Sequence, residues 1–214
     1  MIKNTIVTSE YFQPDEYHYS LDSVLLAHKV AQFYEAHPHP PIAELKVLDL
    51  CAGCGVVGLE FFCHLKNTNF IDFIEVQETY KPYFEKNLKL INPTATDFNF
   101  YLMNYNQMQT THFENKYDLI ISNPPYFFKG EGILSPSEFK NRCRFFMDSN
   151  LDELIKAILF SLVPNGHAYL LARPGVHHGR NLEADIKKLV GAQGDTQIVD
   201  DVRGTLVLRI TKKA

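Results

Sequence analysis

The residue types that most clearly indicate chemistry are Asn123-Pro124-Pro125-Tyr126, which follow an apolar segment ending at Ser122. The two prolines restrict the backbone, so that the side-chain carbonyl of Asn123 and the carbonyl of the Asn123–Pro124 peptide can point at one spot. Two converging acceptors suit an NH2 group whose hydrogens must both be held. Holding them moves the nitrogen toward tetrahedral geometry and frees its lone pair for attack on an electrophilic methyl group. We therefore predict Asn123, Pro124 and Tyr126 as catalytic residues.

The aromatic side chains after the prolines could hold the group that carries this nitrogen. Tyr126 offers a face on which a planar base can stack, a contact worth roughly 1–3 kcal/mol per base. Phe127 and Phe128 extend that surface. No strong base is needed, because the nitrogen can lose its proton after the transfer, and positioning then supplies most of the catalysis. The alternative is a proline-rich loop whose aromatic side chains pack in a core.

A second candidate site is the turn from Asp49 to Gly58, with the sequence DLCAGCGVVG. Gly53 and Gly55 would allow the backbone to approach a ligand closely, and Gly58 would allow a helix to pack on a sheet. Glu75, at the end of the next predicted strand, narrows the choice of ligand. An acidic side chain there accepts hydrogen bonds from two ribose hydroxyls, a requirement shared by NAD and S-adenosylmethionine. The alternative is a turn that serves packing alone.

Neither the cysteines nor the histidines predict a metal site. Cys51 and Cys54 form a C-x-x-C pair inside the glycine turn, but no second pair completes a zinc site, and we interpret both as packing residues. The nine histidines include neighbours at 37/39 and 177/178 but show no convincing ligand set in the sequence. We expect surface or loop positions for most of them, and no metal.

The secondary-structure elements that must position these segments alternate between strand and helix from about residue 46. The predicted strands are 46–50, 69–75, 98–103, 117–122, 167–172, 196–202 and 205–210, and the predicted helices are 56–65, 80–91, 150–162 and 181–190. This alternation predicts an α/β fold with a mostly parallel sheet, closed by an antiparallel hairpin at the C-terminal end. Ligands of such sheets bind at the carboxyl ends of the strands, where both candidate sites lie.

Composition and charge limit the classes of protein to which the chain can belong. The chain has 214 residues, 45% of them hydrophobic, and a net charge of −4 from 21 basic and 25 acidic residues. This charge argues against a protein that binds nucleic acid over its whole surface, and allows a local basic patch. The four cysteines form no secreted-type framework, and no signal peptide or apolar run of the roughly 20 residues of a membrane span is present. We expect one domain in the cytoplasm, without membrane contact.

With these motifs the chain resembles the Rossmann-like S-adenosylmethionine-dependent methyltransferases that carry an Asn-Pro-Pro-Tyr motif. More narrowly, it resembles the bacterial adenine-N6 methyltransferases of valine tRNA. Residues 19–27 (YSLDSVLLA) are similar to the helix before the family's first strand, 49–58 to its motif I, and 123–126 to its motif IV. The resemblance implies residues 1–45 as an N-terminal helical extension and 46–214 as a Rossmann-like core. It implies S-adenosylmethionine as the cofactor, held by Asp22, Asp49, Ala52, Gly53, Gly55, Glu75, Asn104 and Asn123.

Three positions depart from the family pattern. Cys51 replaces the first glycine of motif I, and Asn104 stands where the family has an aspartate for the adenine amino group, although an amide also accepts such a hydrogen bond. Residues 144–146 (RFF) stand where the family has Arg-His-Glu or similar. The segment 135–145 falls where the family has a substrate cover. The expected substrate-binding residues are Phe127, Lys129, Arg142 and Arg144.

The resemblance favours adenine N6 in tRNA, or in another structured RNA, as the methyl acceptor of a monomeric enzyme. One alternative is a protein glutamine-N5 methyltransferase of the release-factor type, whose substrate amide presents the same NH2 geometry. That type carries a separate N-terminal helical domain, for which we expect residues 1–45 to be too few. Another alternative is a guanine-N2 rRNA methyltransferase. An inactive binding module would be expected to have lost Asn123 or the glycine turn, and both are intact.

Overall fold

A seven-stranded sheet organises the protein in the computed structural model, which describes residues 11–38, 40–65, 68–93 and 97–214. Its strands are β1 (Lys46–Leu50), β2 (Phe70–Glu75), β3 (Asp97–Leu102), β4 (Tyr117–Ser122), β5 (Leu162–Ala172), β8 (Gly194–Val202) and β9 (Thr205–Lys212). They are arranged in the order β3-β2-β1-β4-β5-β9-β8. The first five are parallel, β9 runs antiparallel to β5, and β8 runs antiparallel to β9. The predicted α/β fold with its C-terminal hairpin is confirmed.

Helices cover both faces of this sheet. They are α1 (Leu21–Ala36), α2 (Val56–His64), α3 (Lys81–Ile91), α4 (Glu138–Arg144), α5 (Leu151–Ser161) and α6 (Leu182–Val190). Side-chain caps explain where several of them begin. Asn150 accepts a hydrogen bond from the amide of Glu153 at 3.0 Å, and Asn181 accepts one from Ala184 at 3.1 Å. Each cap satisfies an amide that has no partner within its own helix.

Two apolar clusters, one on each face of the sheet, form the core. Alternate residues of the central strands enter different clusters: Val47 packs with α1 and α2, whereas Leu48 packs with α5. Because β1 and β4 are covered on both faces, nearly all of their residues are buried. None of the helices among the described residues is long and apolar enough to span a bilayer.

The structure differs from the sequence prediction mainly in the second half of the chain. Strand β5 begins at Leu162 instead of residue 167, because residues 163–166 bulge between the pairs Tyr117–Leu162 and Leu119–His167. Asn165 has a φ of +65° within this bulge. Helix α4 and the short antiparallel pair β6 (Val176–His177) and β7 (Arg180–Asn181) were not predicted. Residues 1–10 and His39 of the expected N-terminal extension lie outside the described residues.

Candidate active site

A cavity of about 270 Å³ lies where the carboxyl ends of β1, β2 and β4 meet. This is the edge at which parallel α/β sheets bind their ligands. The start of α1 forms one wall, and α4 with the residues after it forms another. The predicted site residues that line the cavity are Asp22, Ala52, Gly53, Glu75, Asn123, Pro124, Tyr126, Phe127, Arg142 and Arg144. Two motifs separated by about 70 residues therefore share one cavity.

The glycine turn contributes Cys51 to Cys54 to the wall of the cavity. Gly53 has a φ of +54° and Cys51 a φ of +64°. The left-handed region is unfavourable for a residue with a side chain, so the replacement of the family's glycine by Cys51 is accommodated at a cost in backbone strain. Burial raises the pKa of the Cys51 thiol well above its usual range, so this thiol stays protonated at neutral pH.

Two residues of this turn, Asp49 and Gly55, do not reach the cavity wall as expected for cofactor contacts. The Asp49 carboxylate is fully buried, and its Oδ2 accepts a hydrogen bond from the amide of Gly58 at 2.8 Å. Asp49 therefore fastens the first turn of α2 to β1. Gly55 precedes α2 with a φ of +83°, and a Cβ added there would lie 2.6 Å from the Phe84 ring. Its role in the structure is close packing.

Glu75 is a buried carboxylate held at the end of β2. Its Oε2 accepts a hydrogen bond from the amide of Gly53 and its Oε1 accepts one from the amide of Gln77, each at 2.8 Å. Burial raises the pKa of this carboxyl, while the two backbone donors and Arg142 act in the opposite direction. A carboxylate offers about four acceptor positions, so both oxygens keep capacity for hydroxyl groups in the cavity.

Asn123 follows β4 and is held by side chains on both sides. Its Nδ2 donates a hydrogen bond to the Oγ of Ser23 at 2.8 Å, and its Oδ1 accepts one from the hydroxyl of Tyr126. Burial, and after it the charge of Asp22, raise the pKa of the Tyr126 phenol, which stays protonated and able to donate. Ser23 is a buried residue of α1 and was not among the predicted site residues. Its position next to Asp22 was the available signal.

Asp22 lies at the start of α1 and lines the same cavity. Its Oδ1 accepts a hydrogen bond from Arg203 Nη1 at 3.2 Å. Arg203 belongs to the turn between β8 and β9, so an ion pair across 181 residues joins the last hairpin to the first helix. The sequence contained no signal for this pairing.

Asn104, the expected partner of the cofactor's adenine amino group, does not itself line the cavity, and its side chain makes hydrogen bonds with nearby backbone groups. Its Oδ1 accepts a hydrogen bond from the amide of Asn106 at 3.1 Å, and its Nδ2 donates to the carbonyl of Asp148 at 2.9 Å. Asparagine is a favoured residue at helix starts, and here it caps the 3-10 turn Tyr105–Gln107. Its neighbours Met103 and Tyr105 line the cavity instead.

The predicted substrate cover is helix α4, which lies against the cavity with Arg142 and Arg144. Arg142 Nε donates to both carboxylate oxygens of Asp148 at 3.0 Å, so its guanidinium is held by an ion pair. The Arg144 guanidinium lies 5.5 Å from the centre of the Phe127 ring. Lys129 is exposed and lies outside the cavity wall, because it follows Phe128 into the loop at Gly130. Its expected contact with substrate stays a prediction.

Arginine side chains stack on the phenylalanines beside the cavity. Arg173 lies 5.0 Å from the centre of the Phe127 ring, and Arg180 lies 3.6 Å from the centre of the Phe128 ring. Together with Arg144 they form what we call the arginine rim, defined as Arg144, Arg173 and Arg180 with Phe127 and Phe128. Arginine prefers aromatic faces and pairs well with phosphate, so this rim suits a polyanion that carries planar groups.

Comparison with known proteins finds a family model that matches part of the chain. The family model described as the methyltransferase small domain matches residues 30–135, just under half of the chain. A tRNA1(Val) (adenine(37)-N6)-methyltransferase of Christiangramia forsetii is 29% identical over 130 residues, which cover 58% of this chain and 51% of that protein. The protein of the same name from Aeromonas salmonicida is 30% identical over 132 residues, covering 61% and 53%. The chain thus matches about half the length of these curated relatives.

Solved structures show the same fold at low sequence identity. TrmN from Thermus thermophilus superimposes with a TM-score of 0.59 at 17% identity, over 89% of this chain and 49% of that one. The magnesium protoporphyrin IX methyltransferase of Synechocystis PCC 6803, solved with bound S-adenosylmethionine, gives 0.59 at 14%, over 90% and 81%. The putative methyltransferase yhhF of Escherichia coli gives 0.58 at 14%, over 95% and 91%. The family model and the curated relatives indicate a methyltransferase, and the solved structures show the same fold.

Proposed function

We propose that this methyltransferase binds S-adenosylmethionine and transfers its methyl group to the N6 amino group of adenine in a structured RNA, with tRNA the favoured class. The observation that carries the proposal is the placement of Asn123. Its amide is fixed between Ser23 and Tyr126 in the wall of the cavity that also holds Glu75 and the glycine turn. An immobilised amide oxygen beside a cofactor-sized cavity is what positioning of an NH2 group requires.

The residues around the glycine turn fit the cofactor. Glu75 is a buried carboxylate with spare acceptor capacity, and Gly53 lines the same cavity. Glu75 would hold the ribose hydroxyls, Ala52 and Gly53 would lie against the cofactor, and Asp22 would face its methionine amino group. When bound, the cofactor supplies an electrophilic methyl group on sulfur.

Asn123 would orient the acceptor nitrogen. Tyr126 occupies one acceptor position of the Oδ1 atom, and a carbonyl oxygen has two, so the second remains for an amino hydrogen of the substrate. The carbonyl of the Asn123–Pro124 peptide would take the other amino hydrogen. The aromatic face of Tyr126 would stack on the base, and the proton would leave after the transfer, so no strong base is required.

The arginine rim favours RNA over a protein glutamine as the substrate. The protein carries a net charge of −4, yet three arginines gather beside the cavity and lie over aromatic rings. Phosphates would pair with such guanidiniums, and unstacked bases would stack on the rings. The names of the two curated relatives, both tRNA adenine-N6 methyltransferases, support the same class. We further propose that residues 1–214 form one domain that acts as a monomer in the cytoplasm.

The experiment is transfer of tritiated methyl groups from S-adenosylmethionine to bulk tRNA, to rRNA and to a release-factor protein. We expect label in tRNA, recovered as N6-methyladenosine in nucleoside mass spectrometry. Asn123→Ala is expected to lower the transfer rate by at least about a hundredfold while cofactor affinity stays within about twofold, because the amide holds the acceptor and not the sulfonium. Asn106→Ala, an exposed asparagine, is the matched control and should retain the wild-type rate.

Each alternative has its own outcome. Label in the release factor and in neither RNA pool would replace the RNA proposal by glutamine methylation. Label recovered as N2-methylguanosine in rRNA would favour the guanine alternative. An Asn123→Ala enzyme that keeps most of the wild-type rate would contradict the proposed role of the amide.

A further inference from the structure

Helices α1 and α2 bring together three side chains with the donor atoms of a metal site. His28 lies on α1, and Glu60 and His64 lie one turn apart on α2. The Nε2 of His28 is 2.9 Å from the Oε2 of Glu60, and the centres of the His28 and His64 rings are 3.9 Å apart. One donor atom from each of the three residues lies within 4.8 Å of the others. None of them lines the cavity of the candidate active site.

Glu60 is the buried member of this cluster, with 4% of its surface exposed. Its Oε2 pairs with His28, and its Oε1 is buried beside the hydroxyl of Tyr11. A buried carboxylate is unfavourable unless cations or hydrogen-bond donors compensate its charge. A bound cation would add to the compensation that His28 and Tyr11 give this carboxylate.

The two histidines are suited to complete the site. His64 is exposed and His28 is partly exposed, so an ion can enter from solvent without unfolding either helix. Each of the two rings places a nitrogen within 4.8 Å of a carboxylate oxygen of Glu60. Imidazole nitrogens are common zinc ligands.

We propose that His28, Glu60 and His64 bind one Zn²⁺ ion at the contact between α1 and α2. Two imidazoles and one carboxylate are a donor set that zinc takes, with a fourth position left for water. The ion would stabilise the packing of α1 on α2. Helix α1 also carries Ser23, which holds Asn123, so the same ion would steady one wall of the cavity. The metal site itself does not depend on the proposed reaction.

The test is calorimetric titration of the chelator-treated full chain with zinc chloride, together with thermal unfolding with and without zinc. We expect one ion per chain and a rise in the melting temperature. His64→Ala removes an exposed ligand, and Glu60→Gln replaces the carboxylate with a group of nearly the same shape. Each variant is expected to weaken zinc binding by more than about tenfold and to abolish the zinc-dependent rise in melting temperature.

His178→Ala is the control, since His178 is exposed and lies outside the cluster. It should bind zinc with the wild-type affinity. The proposal is overturned if the wild-type chain takes up no stoichiometric zinc. It is equally overturned if His64→Ala and Glu60→Gln bind zinc as the wild type does, because the ion would then lie elsewhere. Circular dichroism of the variants without zinc separates lost binding from lost folding.

Discussion

Asp49 and Glu75 are buried carboxylates on adjacent strands, yet their surroundings assign them different roles. Both oxygens of Glu75 receive a backbone hydrogen bond, and the residue lines the cavity. Asp49 receives one, from Gly58, while its Oδ1 has no hydrogen-bond partner among the described residues and the side chain lies beneath the turn. Residue type alone does not distinguish the two carboxylates. Their positions favour Glu75 as the carboxylate that would hold a ligand, because only Glu75 lines the cavity, whereas Asp49 holds the amide of Gly58.

At this scale we predict that Glu75→Ala weakens S-adenosylmethionine binding by at least about tenfold, measured by calorimetry. The reason is the loss of two hydrogen bonds to a charged group, each worth about 1.5–3 kcal/mol. Glu78→Ala, an exposed acid three residues further on, is the control and should bind as the wild type does. Unchanged affinity in Glu75→Ala, or preferential binding of NAD by the wild type, would contradict the assignment.

Among the elements, the turn between β1 and α2 combines ligand contact with tight packing. Gly53 lines the cavity, whereas Gly55 lets Phe84 of α3 pack directly on the start of α2. From the sequence, both glycines are expected to let the backbone approach a ligand closely. The different roles of the two glycines became apparent only with the position of α3, because Phe84, which packs against Gly55, lies 29 residues further along the chain.

Gly55→Ala is therefore expected to destabilise the protein through two separate effects. The left-handed backbone costs about 1–2 kcal/mol for a residue with a side chain, and the overlap with Phe84 adds about 1–3 kcal/mol of overpacking. Gly132→Ala is the matched control, since Gly132 has a φ of +86° and no atom within 4 Å of an added Cβ. Urea unfolding should show a larger loss of unfolding free energy for Gly55→Ala. Equal losses in the two variants would contradict the packing role.

For the whole molecule, the buried carboxyl group of Asp49 makes the free energy of unfolding depend on pH. Burial, and after it the charge of Glu75, raise the pKa of Asp49 from 3.8 to about 7, although the Gly58 amide acts in the opposite direction. Burial raises the pKa of Glu75 as well. Between about pH 4 and pH 7 the folded state therefore binds more protons than the unfolded state. The free energy of unfolding is expected to fall as the pH rises through this window and to level off above it.

Asp49→Asn should flatten that profile, because the amide keeps an acceptor for the Gly58 N–H and has no proton to lose. The measurement is urea unfolding of the wild type and the variant at several pH values between about 5 and 8. The free energy of unfolding of Asp49→Asn minus that of the wild type is expected to increase with pH and then become constant. Parallel profiles would show that Asp49 does not carry the pH dependence.

The sequence by itself determined the order of the strands along the chain, the antiparallel final hairpin, several helix starts, and the two segments at strand ends that form the cavity. Short segments of sequence are enough to predict these features. Apolar runs mark strands buried on both faces, and asparagines cap α5 and α6. The carboxyl ends of parallel strands share one edge in any such sheet, so Glu75 and Asn123 were predictable neighbours.

Only the tertiary structure decided which side chains face the cavity. Asn104 caps the 3-10 turn that follows it, and Lys129 lies in a loop with its side chain exposed to solvent. Ser23 reaches Asn123 across 100 residues, Arg203 reaches Asp22 across 181, and His28 reaches Glu60 across 32. These contacts depend on how α1 packs against α2 and on where the last hairpin ends. Local sequence patterns specify the elements but not the angles and distances between them, which packing of the whole core sets.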